Sequence, residues 1–288
     1  MQVPHLPQMS LFYTALTLPT ADNLKDGSIT VTHTLPGAAH PETLTVPLKP
    51  DTTELSRIEV TLWSVPATAY EMEPYYNDWF SKHFGFEVLL VYLGSSNRST
   101  LGTMAPQPTG WSSWIPNIPG LSSLSPGKDV LTFADVAPYH ITSTTSLGDI
   151  SRRLPDGEEM DMARFRPNIV VSGAPSPFEE DFWGELLYHP ANRDPVTMIL
   201  THNCGRCKSV NVDYSKGRPG DGPQGQILKL MMKDRRVDKG TKYSPVFGRY
   251  GFIGSSLEQN TFFRVGDEVT IAKRNESRST FDWPGLTN

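Results

Sequence analysis

Cysteine is scarce in this chain. Only two occur in 288 residues, and both fall in Thr201-His202-Asn203-Cys204-Gly205-Arg206-Cys207-Lys208. Two cysteines separated by two residues make no disulfide framework, and without a second pair a structural zinc would lack its usual four ligands. A long basic run is also missing: 26 Lys+Arg stand against 31 Asp+Glu, a formal charge of −5, which argues against nucleic acid as a partner. No apolar run approaches the roughly 18 residues that span a bilayer, and no charged-then-apolar leader opens the sequence. The expectation is a soluble, intracellular, cytoplasmic chain without a membrane segment. Internal repeats and low-complexity segments are absent too.

What the chain does have is turn chemistry and short alternating runs. The 25 Pro and 23 Gly predict many turns and a strand-rich fold. Ser28–Thr32 and Thr43–Leu48 alternate apolar or β-branched residues with polar ones around Pro36-Gly37, which predicts an antiparallel pair. Arg57–Trp63 repeats the pattern. Aromatic residues at helical spacing predict a helix over Pro74–Phe84 that stops at Gly85, followed by an apolar strand over Phe86–Leu93 in a βαβ-like arrangement. Further on, the pattern predicts a short helix from Ser146, a buried strand at Asn168–Val171 and a helix over Phe178–Leu187. Strands are expected at Val196–Thr201, Val210–Asp213, Val246–Ile253 and Val265–Ile271, with one more helix at Gln226–Asp234. Arg166 precedes Pro167 and is expected to be extended. Many short strands and few helices suggest a closed or nearly closed barrel. The Ser-, Pro- and Gly-rich stretch holding Trp111 and Trp114 reads as a loop or linker, its tryptophans either rimming an opening or anchoring the loop.

The cysteine segment is where chemistry is expected. A guanidinium beside a thiol favours its ionised form, so Arg206 and Lys208 should make Cys207 more thiolate-like. The spacing alone is compatible with half a zinc site, a redox pair, one metal-ligating thiolate with a bystander, or buried sulfur. The alternation after Cys207 speaks against the helix that a thioredoxin-like pair opens. Ligation of a soft transition metal by a single thiolate fits better.

Four segments in order choose among the soft metals: Phe165-Arg166-Pro167-Asn168-Ile169-Val170-Val171-Ser172-Gly173; Cys204-Gly205-Arg206-Cys207 followed by Val212-Asp213; Ser244-Pro245-Val246-Phe247-Gly248-Arg249-Tyr250; and Val265-Gly266-Asp267-Glu268-Val269. Together they resemble the MOSC family of molybdenum-cofactor proteins, and within it the branch that reduces N-hydroxylated compounds at a pterin-bound molybdenum. The resemblance implies a mainly β fold with α/β elements, a MOSC β-barrel preceded by a smaller, incomplete N-terminal β-rich domain. It implies that Cys207 ligates molybdenum and is the catalytic position, and that Ser146, Arg166, Asn168, Arg206 and Tyr250 hold the pterin and its phosphate. Guanidinium forks and a helix start are suited to an anionic cofactor. Taken singly, Arg166 reads as a surface ion-pair partner, Asn168 as a strand-edge residue and Tyr250 as a core aromatic.

The expected organisation is a partial N-terminal barrel-like domain at 1–105, a linker at 106–128, the MOSC domain at 129–275 and a tail at 276–288. Implied partners are a small N-hydroxylated substrate and a separate haem or flavin electron-transfer protein, and no pyridoxal phosphate is expected. The family's opening strands, with their Lys-Ser-type and basic segments, are not recognised in this chain, nor is the membrane anchor of the mitochondrial relatives. A non-catalytic or degenerate module that binds or relays molybdenum cofactor or sulfur is therefore the alternative reading.

Overall fold

The computed structural model of the protein describes residues 2–20, 27–106, 130–191, 193–254 and 263–287. The stretch with Trp111 and Trp114, and almost all of the expected linker, lies outside the described residues. The chain divides into two compact units, Met1–Asn97 with Asn211–Gln226, and Arg98–Val210 with Ile227–Asn288.

The first unit is built mainly on two three-stranded antiparallel sheets. Strands β1 (Phe12–Thr17), β2 (Ser28–His33) and β3 (Glu42–Pro47) form one meander, with Ser28 opposite Pro47 as the alternation predicts. β4 (Arg57–Leu62) and β5 (Val65–Glu71) make a hairpin whose two turn residues, Trp63 and Ser64, both have positive φ (49° and 67°), the handedness that matches strand twist. Helix α1 (Pro74–Phe84) starts on a proline and ends at Gly85 in the left-handed region (φ 77°), as expected. Its Trp79, Phe80, His83 and Phe84 pack on Phe12, and His83 also meets His33.

The expected strand over Phe86–Leu93 is reduced to β6 (Val91–Tyr92). Side chains of α1 take the backbone groups that a ladder would need: Asn77 Oδ1 accepts from Leu90 N at 2.7 Å, and Ser81 Oγ from Val88 N at 3.0 Å. β6 pairs antiparallel with β5, so the arrangement is not a βαβ crossover.

In the second unit a curled six-stranded sheet carries the architecture. Its strands are β7 (Tyr139–Ser143), β8 (Ile169–Val171), β9 (Trp183–His189), β10 (Val196–Gly205), β11 (Val246–Ile253) and β12 (Glu268–Arg274). They run in the order β8-β7-β11-β10-β9-β12, with only β8 and β7 parallel. The two ends of the sheet do not pair, so the expected closed barrel is half closed. Helix α2 (Thr144–Ser151) and helix α3 (Ile227–Met231) are short. One core layer gathers Ile141, Trp183, Leu186, Met198 and Leu200, and another gathers Ile150, Phe165, Met231 and Phe247. Phe165 and Phe247 stack at 3.8 Å.

Three local expectations change here. Phe178–Leu187 is a short 3-10 turn (Glu179–Phe182) followed by β9, because burial along Trp183–His189 alternates and neighbours pair on both sides. Asn168–Val171 is an edge strand with Val170 44% exposed, not a buried one. Of the strand expected at Val210–Asp213 only Val212–Asp213 forms, paired with Arg218–Pro219, while Lys208–Asn211 is a 3-10 turn.

Candidate functional site

A cleft of about 190 Å³ opens in the second unit, lined by residues that include Asp135, His140, Phe165, Arg166, Asn168, Cys204, Arg206 and Tyr250. Four of the six residues proposed from the sequence, Arg166, Asn168, Arg206 and Tyr250, therefore come together. Each reaches the cleft by a distinct local device.

Arg166 closes the 3-10 turn Met162–Phe165, which begins with the Asp161 side chain accepting from Ala163 N at 2.8 Å. It is left-handed (φ 52°, ψ 47°) instead of extended, with its own N–H on Ala163 O. Pro167 disfavours the right-handed helical region at the preceding residue, and capping a turn then selects the left-handed alternative. A non-glycine side chain held there is strained, and such strain clusters at binding sites. The guanidinium is exposed and makes no hydrogen bond or ion pair among the described residues.

Asn168 immediately precedes β8 and accepts at Oδ1 from His140 N (2.8 Å), while its N–H donates to His140 O (2.9 Å). Tyr250 faces His140 across the β7/β11 ladder. Gly248, two residues earlier, has φ 78°, and a Cβ there would lie 2.4 Å from His140 Nε2. Only glycine admits both the conformation and the approach. The ring of His140 is held by Phe247 O at 3.0 Å from Nε2, and since a carbonyl only accepts, Nε2 carries a proton. The cleft lining at Ala134 and Asp135 is fixed by buried Arg98, which donates to Thr132 O at 2.9 Å and to Asp135 O at 3.0 Å.

Arg206 is 8% exposed and donates Nη1 to Cys204 Sγ (2.9 Å) and Nη2 to Phe165 O (2.8 Å). Its Nε is buried without a partner. This guanidinium thus serves Cys204, which sequence reasoning left without a role, whereas Cys207 is exposed with Ser209 Oγ at 3.3 Å from its sulfur. Burial pushes the Cys204 thiol up, but the charge of Arg206, then His140, then hydrogen bonds from His140 and Tyr250 outweigh it and bring it down to about 6. Burial, and next the negative sulfur, push the Tyr250 phenol well above its ordinary value, so it remains a donor.

Ser146 does not line this cleft. It is fully buried in the first turn of α2, whose cap is Ser143, three residues before the start expected from the sequence. Its hydroxyl accepts from Phe178 N at 2.7 Å and meets Ser143 Oγ at 2.8 Å. His140 and Cys204 were missed as site residues because their meeting depends on the register among β7, β10 and β11, which no local pattern encodes. The signal available was Gly248, a glycine inside the strand Val246–Ile253, next to Arg249 and Tyr250.

A half-closed, mainly β sheet with Arg166, Asn168, Cys204 and Arg206 lining one cleft, and Cys207 exposed outside that lining, agrees with comparison to known families: a MOSC domain occupies residues 128–270. Among relatives, mitochondrial amidoxime reducing component 2 of Rattus norvegicus is 36% identical over 140 residues, covering 48% of this chain and 38% of that protein. Mitochondrial amidoxime-reducing component 1 of Xenopus laevis is 30% identical over 143 residues, covering 49% and 38%. Molybdenum cofactor sulfurase of Oryza sativa subsp. japonica is 29% identical over 163 residues, covering 52% of this chain and 17% of that protein. The similarity therefore spans well under half the length of each of these relatives. No helix among the described residues is long and apolar enough to cross a membrane.

Proposed function

We propose that this chain binds the molybdenum cofactor at the Arg166–Arg206 cleft, with Cys207 as the thiolate that ligates molybdenum, and that it reduces N-hydroxylated compounds. The observation that carries the reading is the donor set: two guanidiniums and an asparagine amide beside an exposed thiol three residues along from a cleft-lining cysteine. This set fits a phosphate-bearing, soft-metal group. Arg166 has its whole fork available, and Arg206 keeps one buried donor unfilled. Each charge-assisted hydrogen bond from such a donor contributes about 1.5–3 kcal/mol. Cys207 offers sulfur, the ligand type that soft metals select. Asn168 and Tyr250 orient the cleft wall, and Ser146 acts as a positioning residue by fixing the start of α2.

When bound, the cofactor supplies a two-electron reduction in which the N–O bond is cleaved, two protons are taken up, and amine and water are released. The chain's contribution is to hold the group, exclude competing ligands and keep the cleft positive. Electrons come from a separate haem or flavin protein. The relatives named for amidoxime reduction support this chemistry, and those named cofactor sulfurases support the alternative of a module that carries cofactor without turnover. The deciding test loads the chain with cofactor, reduces it chemically and follows conversion of an N-hydroxyamidine to the amidine. Stoichiometric or catalytic amidine supports the reductase. A loaded chain that yields none supports the carrier.

A further inference from the structure

The two cysteines are three residues apart in sequence, and the fold treats them oppositely. Cys207 is on the surface. Cys204 sits near the end of β10, 3% exposed, lining the cleft, and the cofactor reading gives its sulfur no task. Donors from three separate segments converge on it: Arg206 Nη1 at 2.9 Å, the His140 ring from β7 and the Tyr250 hydroxyl from β11. A structural thiol needs no such cage, since a buried S–H is a weak donor content among apolar neighbours. Three donors around one sulfur are suited to a thiolate, which is the nucleophilic form. Arg206 Nη1, already on the sulfur at 2.9 Å, is the donor that would meet an oxygen added to it.

We propose that Cys204 is a peroxide-reactive thiolate, oxidised to a sulfenate that the Arg206 guanidinium stabilises. The thiolate attacks one oxygen of a hydroperoxide, an S–O bond forms as the O–O bond breaks, and the sulfur gives up two electrons. The hydroperoxide's own proton leaves with the second oxygen as alcohol, or as water when the oxidant is hydrogen peroxide. The cleft gives a molecule of that size access to an otherwise buried sulfur. The groups that surround the sulfur or act on its cage are Arg206, His140 and Tyr250, with Arg166 in the cleft lining, Asp135 acting on Tyr250 and Cys207 acting on Arg206. A thiol brought down to about 6 is mostly ionised at neutral pH. The proposal stands on this cage and not on the cofactor reading, so either can fail without the other.

The test uses the full chain without cofactor, treated with equimolar hydrogen peroxide in the presence of dimedone, which traps sulfenates, and mapped by peptide mass spectrometry. Label is expected at Cys204 in the parent and in Cys207→Ser, and should be lost in Cys204→Ser. Between pH 8.5 and 6.5 an ordinary thiol loses about fiftyfold of its thiolate, whereas the rate at Cys204 should change by no more than about threefold. Tyr250→Phe and His140→Asn, checked for folding by circular dichroism, should slow labelling at Cys204. Label appearing first at Cys207, a rate that falls with pH as for a free thiol, or folded cage variants that label at the parent rate would each overturn the proposal.

Discussion

Asn168 and His140 hold each other by two hydrogen bonds, the backbone N–H of each donating to the other residue, at 2.8 Å to Asn168 Oδ1 and 2.9 Å to His140 O. The clamp extends the parallel β7/β8 pairing by one residue, next to Arg166, and both Arg166 and His140 line the cleft. Asn168→Ala leaves the His140 N–H without its acceptor, which should cost about 1–3 kcal/mol in a denaturant titration. Asn168→Asp keeps the acceptor and adds a negative charge to the cleft. Its melting temperature should stay near the parent's while uptake of an anionic cofactor weakens.

Arg166 carries opposite effects on stability and binding. An L-residue in the left-handed region costs roughly 1–2 kcal/mol, which glycine avoids, offset in part by the greater freedom of glycine in the unfolded chain. Arg166→Gly should therefore raise stability by about 0.5–1 kcal/mol while removing a guanidinium that no described residue engages. Parallel thermal melts and cofactor-binding titrations would show the two moving in opposite directions.

Much of this was legible in the sequence and some was not, for physical reasons. β2, β3, β4, α1 and β11 follow patterns in which alternation or helical spacing agrees with the flanking turn residues, so local preference and tertiary burial point the same way. Phe178–Leu187 failed because its acids, Glu180 and Asp181, are buried: Asp181 is held by Arg235 and Arg278, partners remote in sequence. Arg166 failed because Pro167 excludes one backbone region without choosing between the remaining two. The motif order was enough to bring Arg166, Asn168, Arg206 and Tyr250 to notice. It did not reveal that Arg206 serves Cys204, since that depends on which way each sulfur points after the β10 strand ends.

Asp181 is the centre of the second unit's buried charge. Fully buried, it accepts from Arg235 Nη2 and Arg278 Nε, each at 2.8 Å. Removing one partner of a buried pair leaves an uncompensated charge, so Asp181→Ala should lower stability by about 3–5 kcal/mol. Arg278→Ala, which removes the partner with the more exposed side chain, should cost less. Chemical denaturation of the two variants checks the order.

The first unit should be acid-sensitive through His33 and His83, whose rings are 4.3 Å apart. Burial lowers the pKa of both below 6.5; His83 further lowers that of His33, and nearby Glu42 opposes the shift in each. With the folded values depressed, the unfolded chain takes up protons first as pH falls through 6.5. Their contribution to stability is therefore intact above that pH and declines below it until the folded groups also titrate. His83→Phe should flatten the fall in melting temperature between pH 6.5 and pH 5, a comparison made directly by calorimetry across that range.

The most direct measurement is the molybdenum and pterin content of the chain purified from a cofactor-producing host, beside Cys207→Ala. Cys207 is exposed, with Ser209 Oγ at 3.3 Å from its sulfur, so the variant should fold as the parent does. Near-stoichiometric molybdenum and pterin in the parent, with molybdenum lost from a folded variant, is the predicted result. Molybdenum retained in Cys207→Ala, or absent from both proteins, would contradict the assignment of Cys207 as the ligand in a cofactor-binding cleft.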